Sequence, residues 1–111
     1  MTTVTVFRRV PPPLIGVCGV VPDRAFQAFE ETLDWLDAGG FLVERFDPYR
    51  EPAAATRFPT VTEALARQGE RCLPLILLDG VVASSGVRPT RTQLARFVGQ
   101  HRSRTELATT R

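Results

Sequence analysis

The chain has 111 residues, a formal net charge of +2 and a hydrophobic fraction of 43%. That length holds one domain with one modest core. No apolar run reaches the roughly 18 residues of a membrane span, and no basic stretch leads into a long apolar segment at the start, so no membrane association and no signal peptide are expected and the location reads as cytoplasmic.

Residues 3–7 alternate threonine with Val4, Val6 and Phe7, the β-branched signature of a strand. Pro11, Pro12 and Pro13 follow, a stiff extended run that donates no hydrogen bonds. Gly16 and Gly19 then flank Val17 and Cys18. Pro22-Asp23 announces a helix with Asp23 as N-cap, and Phe26, Phe29, Leu33 and Leu36 give it one apolar face. Gly39-Gly40 ends it. Residues 41–46 read as a second strand and residues 47–59 as a proline-containing loop. Thr60 and Glu63 fit a capping box for a second helix carrying Val61, Ala64 and Leu65, closed by Gly69. Residues 75–78, the pair Asp79-Gly80 and residues 81–83 read as a tight hairpin. Thr90 and Gln93 form another capping box, for a helix burying Leu94, Phe97 and Val98. Residues 101–111 lack an apolar period and read as a disordered tail, leaving 1–100 as the folded domain.

The order is β-α-β-α-β-β-α, an α/β fold of thioredoxin-like type with three helices covering a four-stranded mixed sheet; the first crossover implies two parallel strands and a right-handed connection. Such folds place a cis-proline before the third strand, and Leu73-Pro74 stands there.

Cys18 and Cys72 are too few for a disulfide framework and read as reduced thiols. Cys18 sits where a helix N-terminus would favour its thiolate. Cys72, two residues before Pro74, is a second candidate ligand in a composite site, or a buried free thiol. Arg8 and Arg9 flank the loop entry and suit an anionic ligand or a partner carboxylate. With Pro12, Pro13, Gly16, Gly19 and Pro74 they outline a candidate partner surface. Trp35 reads as a partly buried helix residue or an interface residue. His101, the single histidine, has no cysteine at metal-ligand spacing and carries no expected role. No phosphate loop or nucleophile elbow is present, and no enzyme activity is expected. The arginines form no continuous basic stripe.

The segments Val4-Thr5-Val6-Phe7, Gly16-Val17-Cys18-Gly19, Leu33-Asp34-Trp35-Leu36, Val43-Glu44-Arg45, Leu73-Pro74-Leu75, Asp79-Gly80 and Pro89-Thr90-Arg91 resemble the ArsD family from about Val4 to Val98. These are bacterial arsenic(III) metallochaperones, also described as trans-acting repressors of arsenical-resistance operons. The resemblance implies a homodimer, an ArsA-type ATPase as partner, and DNA through the repressor label alone, with Arg88, Arg91 and Arg96 of the last helix as the first place to look. It also implies a metalloid site of a Cys-Cys pair followed after four residues by a third cysteine. Only the third matches, as Cys18; the pair falls on Pro12 and Pro13, which offer no ligand to a thiophilic centre. The expectation is a degenerate site with weak arsenic(III) or antimony(III) binding and no obligatory cofactor. The alternatives are a thioredoxin-like binding module for a protein or small molecule, and, last, a monothiol redox protein.

Overall fold

The computed structural model describes residues 2–12, 14–16, 19–21 and 23–109. In chain order the elements are β1 (Thr3–Phe7), β2 (Leu14–Gly16), β3 (Gly19–Val21), α1 (Arg24–Ala38), β4 (Leu42–Phe46), α2 (Pro52–Thr56), α3 (Pro59–Gln68), a 3-10 turn (Gly69–Cys72), β5 (Leu75–Leu78), β6 (Val81–Ser85) and α4 (Arg91–Thr109). The main sheet runs β4-β1-β5-β6. Its inner strand β1 is parallel to β4 and antiparallel to β5. This is the thioredoxin-like order expected from the sequence.

Strand alternation divides the core between the two faces. Val4 and Val6 of β1 and Ile76 and Leu78 of β5 pack with α1 and α4, against Phe29, Leu33, Leu36, Leu94 and Val98. Phe7, Leu75 and Leu77 point to the other face and meet Ala55 of α2 and Val61 of α3. The result is three layers, two helices on each side of the sheet.

Local capping explains the helix starts. Asp23 Oδ1 accepts the Phe26 N–H at 2.9 Å. Thr90 and Gln93 form the reciprocal box, Gln93 N–H to Thr90 Oγ1 at 3.3 Å and Thr90 N–H to Gln93 Oε1 at 3.0 Å. The Asp79-Gly80 turn has φ of 50° and 84°, the left-handed pair a two-residue hairpin needs. Leu73-Pro74 is cis.

Four features differ from the sequence reading. Residues 47–59 contain a helix, α2, opened by Pro52 at its first turn. The next helix starts at Pro59 with Phe58 as N-cap, two residues earlier than the Thr60 box; Thr62 Oγ1 donates back to Ala55 and Phe58 carbonyls instead. The loop after β1 contains a small antiparallel hairpin, β2–β3. The final helix continues through Thr109, past the point where a tail was expected at His101. Its polar stretch of Arg, Gln and Ala is helix-favouring without an apolar period.

Candidate functional site

The candidate surface lies at the C-terminal end of β1. Parallel pairing puts the ends of β1 and β4 side by side, Phe7 opposite Phe46, so the segment leaving β1 passes directly over the segment leaving β4. Asp47 is the first residue after β4. Its carboxylate, with only 4% of the side chain exposed, accepts the Val10 N–H at 3.0 Å and the Tyr49 N–H at 2.9 Å. Burial alone would raise this carboxyl's pKa, but the Val10, Tyr49 and Arg50 N–H groups and the Arg50 guanidinium outweigh it and lower it. Asp47 thereby moors the start of the proline loop.

The two arginines at the loop entry are held differently. Arg8 binds Glu30 of α1 through Nη2 at 2.8 Å and lies over the Phe26 ring. Glu30 is shared with Arg45, which also reaches Asp34 at 2.6 Å. Arg9 pairs with Glu70 and lies over Tyr49. Arg8, Arg9, Glu70, Leu73, Pro74 and Arg88 line a cleft of about 100 Å³. The structure thus brings Arg8, Arg9 and Pro74 together.

The floor of that cleft is fixed from β6. Gly86 N–H donates to the carbonyls of Cys72 and Pro74 at 3.0 and 3.1 Å, and Ser85 Oγ donates to Cys72 O. Gly86 has φ of 76°, and a Cβ there would stand 2.7 Å from the Arg71 carbonyl oxygen, so glycine is required. Cys72 itself is fully buried. Its thiol donates to Gly69 O at 3.1 Å, and burial raises its pKa above the ordinary thiol value. The neutral thiol is favoured there, whereas metalloid ligation needs thiolate.

On the loop, Pro12 is exposed. Gly16 pairs with Gly19, which has φ of 111°, and Ile15 is 81% exposed. Pro13, Val17 and Cys18 lie outside the described residues. Among the described residues, no three His, Cys, Asp or Glu side chains cluster closely enough to hold a metal ion, and no helix is long and apolar enough to cross a membrane.

A family model described as "Arsenical resistance operon protein ArsD" matches residues 1–111. The chain belongs to the ArsD family. Two proteins of Escherichia coli named "Arsenical resistance operon trans-acting repressor ArsD" are similar to it. One is 36% identical over 84 residues, covering 76% of this chain and 70% of its own length. The other is 34% identical over 95 residues, covering 86% and 79%. A crystal structure titled as an arsenical resistance operon trans-acting repressor from Bacteroides vulgatus ATCC 8482 superposes with a TM-score of 0.67 at 26% identity, covering 87% of this chain and 92% of that one. These relatives are named as repressors, not as enzymes.

Asp47, Glu30 and Gly86 shape the surface of this ArsD-family chain, and none was singled out from sequence. His101, given no role from sequence, lies on α4 with Nε2 at 2.8 Å from Asp79 Oδ2. Trp35 is 40% exposed and carries the Arg91 guanidinium over its ring at 5.6 Å.

Proposed function

We propose that this chain is a trans-acting regulator of an arsenical-resistance operon whose metalloid site is reduced to one loop thiol, Cys18. The observation that carries the reading is the ArsD family match over the whole chain together with prolines at positions 12 and 13, where the resemblance calls for the cysteine pair. The burial of Cys72 supports it, because that thiol is a poor second ligand. In this proposal the chain is a cytoplasmic homodimer, arsenic(III) or antimony(III) binds weakly through one thiolate per chain, and an ArsA-type ATPase is the protein partner.

Native mass spectrometry of the reduced protein titrated with arsenite, beside Cys18→Ser, tests this. Weak, Cys18-dependent arsenic adducts are the expected result. Arsenic retained in the Cys18→Ser protein would sink the single-thiol site. The second reading, a docking module indifferent to arsenite, draws on the exposed Ile15 of the hairpin and the arginine-lined cleft. Absence of any adduct at excess arsenite favours it.

A further inference from the structure

The arginine-lined cleft opens beside a second hollow. Arg88 lines the cleft of about 100 Å³ and also a groove of about 310 Å³, where it faces Ala25, Ala28 and Phe29 of α1 and stands next to Pro89. The two hollows share this one residue, and their chemistries are opposite. Arg8, Arg9 and Arg88 make the cleft cationic. The groove is walled by small aliphatic and aromatic carbon, with Thr32 and Thr90 as its other polar residues. Both hydroxyls already have helix partners, Thr32 Oγ1 donating to Ala28 O at 3.0 Å and Thr90 Oγ1 accepting the Gln93 N–H at 3.3 Å.

Charge at the junction is unbalanced. Arg8 is held by Glu30 and Arg9 by Glu70. Arg88 is exposed and, among the described residues, has no ion pair. Glu70 is the one acid on the walls of either hollow. One positive charge is therefore left over where the cleft meets the groove. The backbone that carries it is anchored on both sides. Gly86 N–H donates to the Cys72 and Pro74 carbonyls before it, and Pro89 is buried after it. A short segment pinned in this way has little freedom left to lose when a ligand arrives.

A single unpaired guanidinium offers one fork, which matches the two oxygens of one carboxylate. One spare charge suits a monoanion; a dianion would keep a charge uncompensated. A cavity of roughly 150 Å³ is enough for benzene, so the groove takes a body of one ring or one branched chain. We propose that the joined cleft and groove bind a small organic carboxylate, with its head on Arg88 and its apolar body between α1 and Pro89. The site uses no thiol, so it stands apart from metalloid binding at Cys18. Glu70 limits its strength, because the Arg9 guanidinium that it holds is withheld from the ligand.

The test is a titration of the full-length, nitrogen-15-labelled protein followed by amide chemical shifts at constant ionic strength. Three probes are compared: benzoate, acetate as the head alone, and benzyl alcohol as a body without charge. Benzoate should bind with a Kd of about 1 mM and move the amides of Ala28, Arg88 and Thr90, while acetate and benzyl alcohol should each bind about tenfold more weakly. Arg88→Ser should weaken benzoate about tenfold, the size of one charge-assisted pair. Ala28→Gln, which fills the groove from an exposed helix position, should weaken benzoate toward the acetate value. Glu70→Gln should tighten benzoate about threefold by releasing Arg9. Arg96→Ser, an equal charge loss at an exposed α4 position outside both hollows, should match the parent, and the dispersed amide spectrum of each variant checks that it folds. Shifts that stay linear to about 20 mM benzoate, or parent affinity in folded Arg88→Ser, would overturn the site. Acetate binding as tightly as benzoate would overturn the part assigned to the groove.

Discussion

Strand β1 is tied near each end by an aspartate that accepts a backbone N–H from it or just beyond it, and the two ties are built differently. At the start, Asp79 Oδ1 accepts the Thr3 N–H at 2.8 Å while Oδ2 meets His101; its side chain is 41% exposed. At the far end, Asp47 accepts the Val10 and Tyr49 N–H groups with its side chain almost wholly buried. Water can replace part of what Asp79 provides but little of what Asp47 provides. Loss of a buried acceptor leaves its donors unsatisfied, which costs more than the bond itself contributes. The loop end of the fold is thus the more heavily invested of the two.

Removing the acceptors one at a time measures that contrast. Asp47→Ala should cost about 3 kcal/mol by urea unfolding, since two backbone donors and a neighbouring guanidinium lose one buried partner. Asp79→Ala should cost about 1.5 kcal/mol, lower because solvent reaches the site, with part of the loss arising from the turn's positive φ. A cost for Asp79→Ala equal to or above that for Asp47→Ala would break the comparison. Acid should weaken both ties. The Asp47 carboxyl is lowered below the ordinary 3.8 because the three N–H donors and Arg50 overcome the burial that raises it. The Asp79 carboxyl is lowered chiefly by the Thr3 N–H, then by His101. A depressed folded pKa means that the stabilisation is complete above the unfolded value and lost as pH falls through the folded one. Asp47→Asn should therefore flatten the acid limb of the stability curve below about pH 4, the region set by the unfolded carboxyl. Asp79→Asn should show the smallest effect, below about 1 kcal/mol, because asparagine tolerates the left-handed turn and can still accept the Thr3 N–H.

The same contrast explains what was legible in the sequence. Asp23, the Thr90–Gln93 box and the Asp79-Gly80 turn act on neighbours within a few residues, so their signals are contiguous in the chain. Asp47 acts on Val10 and Gly86 acts on Cys72 and Pro74, partners that only the folded sheet brings together. The Thr60 box lost to Pro59, whose fixed φ suits the first helical position two residues before the one that box would set. α2 was hidden because Pro52 and Pro59 read as loop punctuation, although each opens a helix. α4 extends past Gly99 because its outer residues need helix propensity, not burial, to continue. For the candidate site, the grouping of Arg8, Arg9 and Pro74 followed from the fold, whereas the ion pairs with Glu30 and Glu70 depend on side-chain reach across elements.

The position of β1 also sets an order of events during synthesis. It is an inner strand, yet it is translated before both neighbours: β4 follows some way behind, and β5 only after α3 has been made. A ribosome therefore extrudes Val4, Val6 and Phe7 well before Leu75–Leu78 can cover their second edge. The interleaved Thr3 and Thr5 give that waiting segment some polarity, which disfavours edge-to-edge sticking between nascent chains. Closure of the sheet must await the arrival of β5, so the parts of the molecule made last decide when the part made first is secure.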